Sequence, residues 1–135
     1  MDIKLLNGSA LAYIGDCAYE LKIRHHVINQ GLTNPNMLHR ASVKFVEARG
    51  QARIIQEWLH VSDFLSEEEI SFYKRGRNHK ANTKAKNASI GDYRQATGFE
   101  ALMGWLYLSQ QWERFEELVQ DAIRIIEGDQ ANADK

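Results

Sequence analysis

A chain of 135 residues with a single proline, Pro35, can be helical along nearly its whole length, because proline is the residue that breaks helices. Apolar residues recur at intervals of three and four along most of the chain, and no alternating apolar and polar run is long enough to indicate a strand. With 44% hydrophobic residues, the chain has enough apolar surface for one core. We therefore predict an all-α fold with one domain over residues 1–127 and a disordered or frayed tail over residues 128–135.

The apolar periodicity and the capping residues predict six helices. Asn34 is a predicted N-cap, because the following Pro35 suits the first position of a helix. Ser66 and Glu69 have the spacing of a capping box at the start of another helix. Gly50 is a candidate helix break. The predicted spans are 9–30, 35–49, 51–59, 66–77, 93–109 and 111–127, with a long polar loop over 78–92. On the first helix the predicted core stripe is Leu11, Ile14, Ala18, Leu21, His25 and Ile28.

The sequence gives no indication of a membrane or secreted protein. It contains no run of 18 apolar residues, and its N-terminus lacks a basic region followed by an apolar stretch. The single cysteine, Cys17, excludes an internal disulfide and a Cys-based zinc cluster, and we expect it to pack as a small apolar residue. The expected compartment is the cytoplasm.

The charges are segregated although the net charge is only −1. One segment without any acid carries six cations, which resembles a loop that contacts phosphates. The alternative is a solvated charged loop. The segment has no aromatic residue, which argues against base stacking and favours contact with a duplex backbone. The six candidate RNA-binding residues are Lys74, Arg75, Arg77, Lys80, Lys84 and Lys86.

Asp16 is an acid within an apolar helix. At about 100° per residue it shares a stripe with Ala12, Glu20 and two apolar residues, so we expect its side chain to point into the protein. Glu20 follows one turn later, and two like charges at this spacing repel unless a cation lies nearby.

Glu100 is the only charged residue between Arg94 and Glu113. A buried carboxylate normally takes up a proton, and a second carboxylate beside it makes ionisation still less favourable unless a divalent metal compensates. Carboxylate oxygens are the ligands that Mg²⁺ prefers. The alternative is that each acid is paired with a buried cation, such as Arg24, His25 or Arg94.

Two motifs carry a resemblance to a known family. The run LAYIGDCAYE at residues 11–20 resembles the signature helix of the ribonuclease III family, and FEALMGWLYL at residues 99–108 resembles that family's second motif. The two motifs lie in the family's order, about eighty residues apart, with the basic segment between them. Together they resemble the short bacterial Mini-III ribonucleases over about residues 6–127.

The resemblance implies a ribonuclease III-like endonuclease domain that acts as a homodimer on double-stranded RNA with Mg²⁺. Asp16 and Glu100 match the family's catalytic metal-binding acids. The implied reaction is phosphodiester hydrolysis that leaves 5′-phosphate ends, and the implied substrate is the large-subunit (23S) ribosomal RNA precursor, with the ribosomal large subunit as a further partner. Because no double-stranded-RNA-binding domain follows, the catalytic face is expected to bind the RNA.

The sequence also departs from the family pattern. The family has a glutamate where this chain has Ala12 and an aspartate where it has Thr97, so two of the usual four acids are absent. Glu20 or Asp92 is a candidate for an additional oxygen ligand. The alternatives are a non-catalytic double-stranded-RNA-binding or ribosome-assembly module on the same fold, and an all-α interaction protein with no RNA role.

Overall fold

The computed structural model describes residues 1–79 and 89–133, with side-chain surroundings through residue 128. A short 3₁₀ turn at Ile3–Leu5 precedes six α-helices, and no strand occurs in either described range. The helices are α1 (Gly8–Ile28), α2 (Pro35–Val46), α3 (Ala48–His60), α4 (Glu67–Arg77), α5 (Ile90–Leu108) and α6 (Trp112–Ala133). The prediction of an all-α fold is confirmed. No helix within the described ranges is both long and apolar enough to cross a bilayer.

Helix α5 is the centre of the fold, and α1, α3 and α4 pack around it. Its residues 101–106 are buried on every side, so its sequence is apolar all round rather than amphipathic. Aromatic rings fill the space between the helices: Phe99 meets Tyr19 edge-on at 4.8 Å, and Trp105 stacks on Phe72 at 4.4 Å. Glu100, which directly precedes this buried stretch, is only partly exposed.

The predicted caps are present. Asn34 accepts backbone N–H bonds at the start of α2, and Ser66 with Glu69 forms a reciprocal capping box at the start of α4. The break between the second and third helices falls at Glu47, however, and Gly50 lies inside α3. A Cβ on Gly50 would lie 2.2 Å from the carbonyl oxygen of Lys44, so this glycine permits a close approach and does not end a helix.

Besides α3, which begins at Ala48 and ends at His60, two helices are longer than predicted. Helix α5 begins at Ile90, where Ser89 caps it, because the polar residues before Tyr93 already have helical geometry. Helix α6 continues to Ala133, past the predicted end at Glu127, since no proline or cap interrupts it. The domain boundary at residue 127 stays a prediction.

The predicted core stripe of α1 is wrong in part. Leu11 and Ala18 are buried, but Leu21 is 67% exposed and Ile28 is 54% exposed. The buried face is rotated toward the side that carries Gly15, Tyr19 and Ile23, since this side can approach α5 closely. Helix α1 therefore has a second apolar stripe that faces outward.

Candidate active site

The site is built on an unusually close crossing of α1 and α5. A Cβ on Gly15 would lie 1.8 Å from the carbonyl oxygen of Glu100, and one on Gly104 would lie 1.9 Å from the carbonyl oxygen of Leu11. Any side chain at either position would force the backbones apart. Because Asp16 directly follows Gly15, the crossing brings it next to Glu100.

The carboxyl group of Asp16 lies close enough to that of Glu100 to affect its pKa. The pKa of Glu100 is raised to about 9, first by burial, then by the contact with Asp16 and by the charge of Glu20. The nearby side-chain amide of Gln51 lowers this pKa, but by less than the other contributions raise it. The protein itself therefore disfavours a second negative charge beside Asp16, and Glu100 keeps its proton at neutral pH unless a cation binds.

The expectation that Asp16 points into the protein is wrong. The side chain is exposed, and so is that of Cys17, which was also expected to be packed. The physical reason is the rotation of α1: its buried face is centred on Gly15 and Tyr19, which places Asp16 at the rim of the crossing. Glu100 is partly buried below it. The pair is thus open on one side, as a site for a large substrate must be.

Glu69 shows how this fold neutralises a buried acid. It is 4% exposed, and its carboxylate accepts bonds from Ser66 N–H and from the Arg114 guanidinium at 2.7 Å, which hold its pKa below the ordinary value despite burial. Across residues 1–79 and 89–128, no Lys, Arg or His pairs with Asp16 or Glu100. The described residues therefore give the paired-cation alternative for these two acids no support.

The three suggested cation partners lie elsewhere. Arg24 pairs with Glu20 at 2.9 Å, and His25 and Arg94 are both exposed. Among the described residues, no group of three or more His, Cys, Asp or Glu side chains converges as a metal site. The donor set is therefore a pair of carboxylates, and a divalent cation with several water ligands fits such a pair.

Ala12 and Thr97, which replace two family acids, have structural contacts in this fold. Ala12 is 7% exposed in the core, and Thr97 donates its hydroxyl to the Tyr93 carbonyl oxygen at 2.9 Å. Glu20 is near enough to Glu100 to affect its pKa. Asp92 precedes Glu100 by eight residues, about 12 Å along the helix axis. Of the two candidate additional ligands, only Glu20 is near the pair.

Gln51 was not identified from the sequence. It is 1% exposed on α3, beside Glu100, and its Nε2 forms no hydrogen bond of ordinary geometry with any described residue. The signal was available, because Gln51 is polar at a helical position flanked by the core residues Ala52, Ile54 and Ile55. A buried amide needs a partner, and an amide beside an acid pair can orient one of them.

The basic candidates are in different environments. Lys74 is exposed at the end of α4, and Arg77 lies over the Tyr73 ring at 5.5 Å. Arg75 donates to the carbonyl oxygens of Lys4 and Leu6 at 2.7 and 2.9 Å, so it fastens the N-terminal turn to α4. The other three candidates, Lys80, Lys84 and Lys86, lie outside the described residues.

The fold and the site together define an all-α nuclease domain with a paired-carboxylate centre. Residues 9–111 match the model of the ribonuclease III domain, a span that includes Asp16 and Glu100. The chain therefore belongs to the ribonuclease III family, and it is an endoribonuclease.

Similar proteins cover nearly the whole chain. The Mini-ribonuclease 3 of Enterococcus faecalis is 52% identical over 91% of this chain and 92% of its own length, and that of Streptococcus pneumoniae is 48% identical over 95% and 99%. The crystal structure of protein FN1578 from Fusobacterium nucleatum superposes with a TM-score of 0.79 at 28% identity, covering 91% of this chain and 96% of that one. The resemblance to Mini-III ribonucleases is confirmed.

The raised pKa of Glu100 predicts how stability depends on pH in metal-free protein. Between about pH 4.5 and 9 the folded state keeps the proton that the unfolded state has lost. Unfolding then releases a proton, so stability should fall as pH rises through this window and level off above it. Urea midpoints in chelator, compared between wild type and Glu100→Gln, measure this contribution. An equal pH slope in both proteins would contradict it.

Proposed function

We propose that this endoribonuclease cleaves double-stranded RNA with Mg²⁺ held by Asp16 and Glu100. The observation that carries the proposal is the contact between these two acids at the α1–α5 crossing, with no protein cation beside them in the described ranges. Family membership favours this function over a non-catalytic RNA-binding module or an interaction protein.

The protein groups have separate roles in this proposal. Asp16, at the exposed rim, and Glu100, below it, supply the metal's carboxylate oxygens. Gln51 orients the Glu100 carboxylate, and Glu20, held by Arg24, adds negative charge one turn from Asp16. When bound, the metal neutralises charge that develops at the scissile phosphate and lowers the pKa of a water molecule. The expected products carry 5′-phosphate ends.

We assign the phosphate contacts to Lys74, Arg77, Lys80, Lys84 and Lys86. The support is the acid-free segment in the sequence together with the exposure of Lys74 and the free donors of Arg77. Because the two carbonyl bonds of Arg75 use its guanidinium within the protein, its contribution to RNA binding is to position α4.

We further propose that the chain is a homodimer through the outward face of α1. Tyr13, Leu21 and Ile28 form an apolar stripe that is 83%, 67% and 54% exposed. Trp112, 52% exposed, extends this stripe, and a cavity of about 570 Å³ lies between Leu21 and Trp112. Two copies of one apolar face can bury each other about a two-fold axis. Since Asp16 borders this face, the two sites would lie close to the interface.

Leu21→Glu should convert the dimer to a monomer. Burying an unpaired charge at the centre of an apolar interface costs several kcal/mol of dimerisation free energy. The apolar residues of the two faces offer no cation that could offset this cost. Sedimentation equilibrium should report the mass of two chains for wild type and of one chain for the variant. Val61→Glu, at an apolar position that is 53% exposed after α3, is the matched control and should stay dimeric. A monomeric wild type would refute the dimer.

We propose the 23S ribosomal RNA precursor as the substrate, in the cytoplasm and with the ribosomal large subunit as a possible presenting partner. The support is the likeness to Mini-III ribonucleases. Incubation with precursor transcripts of the large and small subunit should give discrete cleavage only of the first. Equal cutting of both transcripts would contradict the assignment.

A gel assay tests the central proposal. End-labelled duplex and single-stranded RNA of the same sequence are incubated with Mg²⁺ or with chelator. We expect cleavage of the duplex alone, only with Mg²⁺, and fragments that a 5′-phosphate-dependent exonuclease can degrade. Duplex binding without cleavage at any Mg²⁺ concentration would refute it.

A further inference from the structure

A cationic pocket between α4 and α5 is separate from the carboxylate pair. It has a volume of about 410 Å³ and is lined by the end of α4 on one side and the first turns of α5 on the other. Its lining residues are Arg77, Asn78, His79, Gly91, Arg94 and Gln95. No lining residue is an acid.

The cations of this pocket have few partners within the protein. Arg77 uses its Nε to donate to Asn78 Oδ1 at 3.1 Å, which leaves both terminal NH₂ groups available. Among residues 1–79 and 89–128, no acid pairs with Arg77, His79 or Arg94. The sequence between His79 and Ser89 contains three lysines and no acid, so it adds no carboxylate.

Two further features favour an anion here. The side-chain NH₂ group of Gln95, a residue that lines the pocket, forms no hydrogen bond with the described residues and is available to donate; the buried atom of this side chain that lacks a partner is its Oε1, an acceptor, which does not itself attract an anion. Gly91 lies in the first turn of α5, a 19-residue helix, where backbone N–H groups and the helix dipole attract negative charge. Two guanidinium groups, the NH₂ group of Gln95 and the first turn of α5 thus line the same pocket.

We propose that this pocket binds a phosphate group of the RNA backbone, with Arg94 as its principal ligand. The inference rests on the proposed function, since it names a contact of the same substrate outside the cleavage centre. Arg94 precedes Glu100 by six residues, which is roughly 9 Å along the axis of α5. This distance is similar to the rise of two or three nucleotides along one strand of a duplex, so one RNA strand could contact both places. The planar guanidinium groups of Arg94 and Arg77 suit the oxygens of one phosphate.

The pocket can be tested first without RNA. In a two-dimensional NMR titration with inorganic phosphate, the signals of the Gln95 NH₂ group and the Gly91 amide should shift and saturate, and chloride at equal ionic strength should not reproduce this. Arg94→Gln should abolish the saturable shift. Arg124→Gln, an exposed arginine on α6, is the charge-matched control and should behave as wild type. Absence of a saturable shift in wild type would overturn the pocket, whether or not the protein cuts RNA.

The second test connects the pocket to RNA. Duplex binding in chelator is measured over a range of salt concentrations, so that cleavage does not interfere. Arg94→Gln should raise the Kd about fivefold and reduce the salt slope by about one, as expected for one lost phosphate contact, and Arg94→Lys should recover part of the affinity. Phosphate binding with unchanged RNA affinity in Arg94→Gln would show a site for free phosphate and overturn the RNA assignment. Absence of duplex binding in wild type would instead refute the proposed function.

Discussion

Asp16→Asn and Glu100→Gln are each expected to lower the rate of duplex cleavage by about a thousandfold. Each change removes one of the two proposed metal ligands. A bound metal stabilises transition-state charge by several kcal/mol, and a thousandfold rate change corresponds to about 4 kcal/mol. Both substitutions keep the size of the side chain. Single-turnover cleavage of end-labelled duplex at saturating protein measures the chemical step directly.

The controls separate chemistry from folding and binding. Asp92→Asn removes an acid from the same helix at about 12 Å from Glu100 and should cleave within a fewfold of wild type. Asp16→Asn and Glu100→Gln should keep the helical circular dichroism spectrum and their affinity for duplex in chelator. Wild-type cleavage rates in Asp16→Asn would show that this carboxylate holds no metal.

Gly15→Ala and Gly104→Ala are expected to destabilise the protein by about 3 kcal/mol or more each. The added Cβ would meet backbone carbonyl oxygens at 1.8 and 1.9 Å, and a backbone cannot rotate away as a side chain can. Helices α1 and α5 must move apart, so folded Gly15→Ala should also lose cleavage, because the same shift separates Asp16 from Glu100. Urea unfolding measures the first effect and the duplex assay the second.

Gly128→Ala is the matched control for these glycine substitutions. Gly128 lies within α6 with no heavy atom within 4 Å of an added Cβ. Alanine in a helix restricts the unfolded chain, so the free energy of unfolding should stay the same or rise by less than about 1 kcal/mol. If Gly15→Ala and Gly128→Ala were equally stable, the close crossing would not be what limits the α1–α5 packing.

Local sequence signals predicted most of the helices. Asn34 and Ser66 act as caps because capping depends on groups within four residues, which the sequence contains directly. The same reasoning located Asp16 and Glu100, since a charge within an apolar motif is visible without any structure.

Other features depend on how distant segments meet. Helix α1 has apolar residues on two sides, so periodicity alone selected a stripe that includes the exposed Leu21. Gly50 has the composition of a helix break but lies in α3 against the carbonyl oxygen of Lys44. Arg75 looked equivalent to Lys74 until its bonds to two N-terminal carbonyl oxygens distinguished them.

The helical class, the caps, the family likeness and the choice of Asp16 and Glu100 as candidates all follow from residue type and short-range spacing, which the sequence contains. The exposure of Asp16 at a rim, the contact of Gln51 with Glu100 and the pocket shared by Arg94 and Arg77 depend instead on the tertiary structure. These relations join residues up to 84 positions apart, as in Asp16 and Glu100. They are set by the rotation of each helix about its axis, which packing against α5 fixes and no single helix specifies.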